Sequence, residues 1–256
     1  MNLVEKGEVF VKTDEGLKFV HTTAVFQDGP QFYVAKMDCK MREVPEELNT
    51  SDKHEGFFVT YEKLFPRFDA TLTRAPCHSA DSCYVKKPRL LLYQPGEDSL
   101  GAQMLQEAHV LEAIKSSQHP NVQQYHGCVE LNNQLVGLCL EKYLETLTER
   151  VQRNDATLDV DHCVNGITSG LKHIHSLGYC HNDVNPGNIM FKEDGTPVLI
   201  DFDSCIPTGQ KLGYKAGTLG FWDDSATHSL PQNDFTGLRF VKEFIERHLE
   251  SVKSLT

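Results

Sequence analysis

The sequence has one tryptophan, no pair of cysteines at C-x-x-C spacing and no G-x-G-x-x-G stretch. It also lacks any block of basic residues. No apolar run approaches the ~18 residues of a membrane-spanning helix, so a helical membrane protein is excluded. The opening MNLVEKGEVF carries acids and no apolar core, unlike a secretion signal, and an intracellular, cytoplasmic chain is expected. A formal net charge of −11 argues against broad binding to nucleic acid or to an anionic membrane. The eight cysteines are scattered, as reduced thiols of an intracellular protein would be. CHSADSC at 77–83 offers metal-ligating types, but the second ligand pair of a zinc finger is missing, and loop or core thiols are the expectation. The tryptophan, Trp222, is expected in the core.

What is present divides into a β-rich first part and a mainly helical second part, an α+β chain with 39 % hydrophobic residues to build a core, as one large domain or two lobes. EVFVK, LKFVHTTAVF and QFYVAKM, separated by turns at Asp14-Glu15-Gly16 and Asp28-Gly29-Pro30, predict an antiparallel meander over residues 8–37. A polar stretch leads to FFVTYEKL. YVKKPRLLLYQ (84–94) reads as a strand whose Pro88 suits an edge or a bulge. From Ser99 to Ser117, Leu100, Met104, Leu105, Ala108, Leu111 and Ile114 recur at helical steps. LVGLCLEKY (135–143) reads as a buried strand. Asp159 can cap a helix whose apolar face is Val160, Val164, Ile167, Leu171, Ile174 and Leu177, with Gly178 as its stop. NIMF, a turn at Asp194-Gly195, and PVLIDF form a hairpin, and LRFVKEFIERHLESV forms the last amphipathic helix.

Residues 181–204, HNDVNPGNIMFKEDGTPVLIDFDS, concentrate the polar chemistry. Asn188 lies just before one strand of the hairpin and Asp201 just after the other, so the turn returns both to one end. Asp183, upstream in a Pro-Gly loop, can reach the same end. Two carboxylates and an amide oxygen form a hard-oxygen set that suits Mg²⁺ and leaves positions for substrate phosphates. Phosphoryl transfer asks little more than metal, orientation and a group that steers the incoming hydroxyl. A loop stabilised by Asx turns is the plainer alternative.

The spacing resembles the protein-kinase signature, H-R-D-x-x-x-x-N followed by D-F-G, here His181-Asn182-Asp183 with Asn188 and then Asp201-Phe202-Asp203. In chain order, YVKK (84–87) resembles the strand that carries a phosphate-binding lysine, Lys86. Glu107 resembles its helix partner, and HPNV (119–122) the turn after that helix. GTLGFWDD (217–224) resembles the end of an activation segment, and Asp234 the aspartate that braces the catalytic loop. LTRAP (72–76), YVKxP, HNDxNPxNIM and LIDFDS are most similar to the small kinase-like proteins of fungi. The resemblance implies a two-lobed protein-kinase-like fold. Residues 1–66 would be a β-rich extension, 67–143 the N-lobe and 144–256 a short, mainly helical C-lobe. It also implies ATP and Mg²⁺ as cofactors. Asp183 would orient or deprotonate the acceptor hydroxyl, and Asn188 and Asp201 would hold the metal. Lys86, fixed by Glu107, would bind phosphates, and Leu140, Glu141 and Tyr143 would line the adenine hinge. The acceptor implied is Ser/Thr of a protein; a small-molecule acceptor and a pseudokinase acting as a binding module are the alternatives.

Four departures bear on that implication. Asp203 replaces the glycine of D-F-G and is a candidate further metal ligand. Asn182 replaces the arginine of H-R-D, which would receive a phosphate on the activation segment. Asn185 stands where a transition-state lysine is expected. Trp222-Asp223-Asp224 replaces A-P-E. Lys87 and Lys36 are rivals to Lys86, His181 is expected to contact backbone, and Thr218 to hydrogen-bond the catalytic loop. Thr208 and Thr218 are also candidate phosphosites.

Overall fold

The computed structural model describes residues 1–14, 16–49, 54–76, 83–93, 99–155, 157–213 and 217–253. The CHSADSC segment falls outside the described residues except for Cys83, which is buried and unbridged. The chain forms two compact units. Unit 1 comprises Met1–Asp69, Lys87–Leu105 and Glu130–Gly137; unit 2 comprises Ala70–Lys86, Gln106–Val129 and Leu138–Thr256.

Unit 1 is built on an antiparallel sheet of β1 (Asn2–Thr13), β2 (Gly16–Asp28), β3 (Gln31–Met37) and β4 (Glu55–Thr60), adjacent in chain order. The sheet is larger than the expected meander because it starts at Asn2 and adds β4, which runs in register from Gln31↔Thr60 to Lys36↔Glu55. Both faces are covered over the middle of the sheet. Val25, Phe32, Val34 and Val59 pack with Leu64, Phe65, Leu90 and Tyr93, and Ala24, Phe26, Ala35 and Met37 pack with Val44 and Leu48. Successive strand residues point to opposite faces, so covering both sides explains the unbroken apolar run Ala24-Val25-Phe26. FFVTYEKL leaves the sheet at Tyr61, where a single helical turn, α1 (Tyr61–Leu64), begins.

The stretch 84–94 does not run as one strand. β5 is Tyr84–Lys86, and Leu90–Leu92 form a 3₁₀ turn. Pro88 accounts for the break, since it has no N–H for a ladder. The next elements are α2 (Ser99–Lys115), β6 (Tyr125–Leu131) and β7 (Gln134–Leu140), with Asn132 and Asn133 at positive φ in the β6–β7 turn. In unit 2, β5 pairs antiparallel with β7, Tyr84 opposite Leu140 and Lys86 opposite Leu138.

Unit 2 continues with β8 (Glu145–Thr146), α3 (Leu147–Gln152), α4 (Val160–Ser176), β9 (Tyr179–Cys180), β10 (Ile189–Phe191), β11 (Pro197–Leu199), β12 (Ile206–Pro207) and α5 (Pro231–Lys253). Asp159 caps α4 by accepting the His162 N–H at 2.9 Å, and Gly178, at φ 85, follows its end. Ile167, Leu171 and Ile174 are fully buried on the inward face of α4. Gly170 lies so close to Asn121 that a Cβ would meet its carbonyl oxygen at 2.7 Å. α5 begins at Pro231, about two turns before the apolar pattern suggested, so that Asp234 falls in its first turn. Trp222 is half-buried, not core: its ring packs over Gly217, whose φ of 79 and missing side chain make room for it.

Candidate active site

All site residues expected from the sequence lie in unit 2. The β10–β11 hairpin, with Ile189 opposite Leu199, returns Asn188 and Asp201 to one end, where the Ile200 N–H donates to the Asn188 carbonyl at 2.9 Å. Asn188 Nδ2 donates to the Asp183 carbonyl and to Asp183 Oδ2, each at 3.0 Å. Asp183 Oδ1 accepts from the Thr218 hydroxyl at 2.7 Å.

The loop between β9 and β10 is irregular, so its polar groups need side-chain partners. Asp234 supplies two: Oδ2 accepts the His181 N–H at 2.9 Å and Oδ1 the Asn182 N–H at 2.7 Å. His175 Nε2 meets Asp234 Oδ2 at 2.7 Å. Cys180 lies close to this pair, but the Asp234 oxygens are already engaged, so the trio is a brace and not an open metal site. His181 Nε2 contacts the Ile200 carbonyl at 2.9 Å, the backbone contact expected of it. Asn182, at φ 61, donates to the carbonyls of Cys180 and Ser204 and to Ser229 Oγ.

Asn185 has a role that the sequence reading missed. Its Oδ1 accepts the N–H groups of Gly187 (2.8 Å) and Asn188 (3.2 Å), capping the short turn Pro186–Asn188, and its Nδ2 donates to Thr218 Oγ1 at 3.0 Å. The signal was present, since an Asn directly before a Pro is a helix-start pattern.

Lys86 joins two further pieces. Its Nζ lies 2.7 Å from both carboxylate oxygens of Glu107 and also bonds Asp201 Oδ1. Glu107 is 3 % exposed, and its Oε1 also accepts the Phe202 N–H at 3.2 Å. Burial alone would lower the Lys86 pKa, but Glu107, Asp201 and Asp203 outweigh it and hold the ammonium above its ordinary range. Burial raises the Glu107 carboxyl to about 6; Lys86 pulls it down, while Asp201 and Asp203 push it up. Of the rival lysines, Lys87 is exposed, and Lys36 pairs with Glu55 at 3.2 Å in unit 1.

Leu140, Glu141 and Tyr143 lie at and just after the end of β7, the neighbour of the strand that carries Lys86. Leu140 is buried. The Glu141 N–H donates to the Gln124 carbonyl, its Oε2 meets His126 Nε2 at 2.8 Å, and the Tyr143 hydroxyl accepts the Gln124 N–H. Gln123, a residue the sequence did not single out, accepts the Asp201 N–H on Oε1 at 3.2 Å.

Comparison with known proteins decides the family. The model of the protein kinase domain matches residues 80–222, more than half of the chain. The chain belongs to the protein kinase family. Its α+β architecture is that of a kinase-like fold, and β1–β4 lie before the matched range. It is 32 % identical over 95 residues to the serine/threonine-protein kinase Tao of Drosophila melanogaster, covering 36 % of this chain and 9 % of that protein. It is 35 % identical over 106 residues to the human serine/threonine-protein kinase/endoribonuclease IRE2, covering 38 % and 11 %. It is 26 % identical over 165 residues to human serine/threonine-protein kinase TAO3, covering 63 % and 18 %. The chain thus spans less than a fifth of the length of these relatives. Among the described residues no helix is long and apolar enough to cross a membrane.

Proposed function

We propose that this chain is an ATP- and Mg²⁺-dependent phosphotransferase of protein-kinase type, which passes the γ-phosphoryl group to a hydroxyl, Ser or Thr of a protein. One observation carries the reading: Lys86 contacts both Glu107 and Asp201, so the ammonium and one of the metal-binding candidates meet in one place. The residues fit a divalent cation. Asn188 and Asp201 offer hard oxygens, and the carboxylates of Asp201, Asp203 and Glu107 act on a single ammonium, an excess of negative charge that a cation would offset. Mg²⁺, when bound, supplies charge neutralisation on the phosphates.

The chain's own groups supply the remainder. Lys86 binds phosphate oxygens, with Glu107 fixing its direction. Asp183 accepts or orients the acceptor hydroxyl proton, and the Thr218 contact on Oδ1 sets how that carboxylate is turned. Leu140, Glu141 and Tyr143 serve the adenine. The Glu141 N–H already donates to Gln124, so an adenine contact from Glu141 uses another of its groups.

The test is transfer of radiolabelled phosphate from ATP into protein and small-molecule pools, comparing wild type with Asp183→Ala. Loss of a general base or orienting group costs about 10²–10⁴-fold, and a drop of that size is expected. Equal labelling by both proteins contradicts the reading. The pool that takes the label separates a protein from a metabolite acceptor. Asn185, committed to capping in place of a lysine, favours a second reading, a nucleotide-binding module without transfer. That module would be stabilised by Mg-ATP and label nothing.

A further inference from the structure

Asp201 sits at φ 65, a left-handed conformation uncommon for a residue with a side chain. Something must hold the turn there. The Ile200 carbonyl contacts His181 Nε2 at 2.9 Å, the Asp201 N–H donates to Gln123 Oε1 at 3.2 Å, and the Phe202 N–H donates to Glu107 Oε1 at 3.2 Å. Three consecutive residues of the turn are therefore each engaged by a different side chain. His181 and Glu107 belong to motifs already described, whereas Gln123 belongs to none.

Gln123 is built in firmly. It is 7 % exposed, and its own N–H donates to the Leu199 carbonyl at 2.9 Å, anchoring its backbone two residues before Asp201. The neighbouring Val122 bridges Leu199 in parallel register. The Gln123 backbone therefore follows the end of β11, while its amide reaches forward to the residue whose carboxylate points at Lys86.

We propose that Gln123 is a positioning residue for Asp201: by accepting that one N–H it fixes the left-handed turn and so aims the carboxylate. This rests on the reading of Asp201 as part of the metal–nucleotide site. Without the acceptor, the partly buried N–H is left unsatisfied in the native turn, and the turn gains a reason to relax.

Two measurements test it and separate its fate from that of the proposed function. The first needs no ligand: amide hydrogen exchange at Asp201 in the nucleotide-free chain. Gln123→Met keeps the length but offers only a weak sulfur acceptor, and is expected to speed Asp201 exchange about tenfold, whereas Gln123→Glu retains the acceptor and the protection. Unchanged exchange in Gln123→Met overturns the proposal and leaves the kinase reading standing. An Asp201 amide that exchanges like an exposed loop in the wild type overturns it too, whether or not the methionine variant folds. The second is nucleotide affinity with Mg²⁺ and with EDTA. Gln123→Met is expected to weaken Mg-ATP binding about tenfold and leave metal-free ATP binding unchanged. Equal losses in both conditions mean a merely structural residue and overturn the proposal. A wild type whose ATP binding ignores Mg²⁺ contradicts the proposed function instead, and the exchange result then decides the positioning of Asp201 alone.

Discussion

The four-stranded sheet of residues 2–60 and the loop segment 180–204, outside its β10–β11 hairpin, satisfy their backbones in opposite ways. In the sheet, ladders pair each strand with its neighbour over long registers, from Asn2↔Gln27 to Thr13↔Gly16 in the first hairpin alone. Side chains there have only to pack. In the loop segment the backbone is irregular, and Asp234, Asn185, His181, Gln123 and Glu107 take up its N–H and C=O groups one by one. Regular structure leaves side chains free to be apolar. An irregular loop needs polar, buried side chains, and under the proposed function those same side chains aim the groups assigned to catalysis.

The comparison makes the two regions respond differently to mutation. Asp234→Ala removes a fully buried carboxylate that accepts from two backbone N–H groups and faces His175, and should cost about 3–5 kcal/mol. Phe26→Ala, in the sheet, empties a fully buried ring position and should also cost about 3–5 kcal/mol. Chemical denaturation measures both losses. Mg-nucleotide affinity, taken where each protein is still folded, separates them: Asp234→Ala loses it and Phe26→Ala keeps it. If both variants lost it alike, the assignment of the chemistry to unit 2 and not to the sheet would be broken.

Glu107 sharpens the contrast through pH. Its carboxyl pKa is raised from 4.5 to about 6, so the folded state holds the proton more tightly than the unfolded one. That contribution to stability is fully present below about 4.5 and is lost as pH rises through about 6. The ion pair with Lys86 needs the opposite, ionised form. Mg-nucleotide affinity is therefore expected to fall as pH drops through about 6, with the fold intact. Glu107→Gln should abolish that pH step and lower affinity at pH 8 by about tenfold, with no loss of stability there. Calorimetric titrations at several pH values, beside thermal melts, check each part.

The two regions also differed in how far the sequence revealed them. Local patterns were enough for α4 with its Asp159 cap, for the hairpin that brings Asn188 to Asp201, and for α2 with Glu107 on it. Spacing and turn chemistry act over a few residues in each case. The sheet was underestimated because β4 joins it across the seventeen residues 38–54, and strand pairing at that distance leaves no periodic trace. Pro88 was read as compatible with a strand, yet its missing N–H ended β5 at Lys86. Trp222 was expected in the core on residue type alone, and its ring instead packs half-buried over Gly217. Gln123 was invisible because a glutamine that accepts one backbone N–H has no pattern of its own.

The most direct measurement of the central claim, that Lys86, Asn188 and Asp201 form one metal–nucleotide site, is the thermal shift produced by ATP with and without Mg²⁺ in wild type, Lys86→Met and Asp201→Asn. A large stabilisation of the wild type that requires Mg²⁺ and vanishes in both variants is the expected result. Stabilisation that persists in Asp201→Asn, or that ignores the metal in the wild type, would contradict the account.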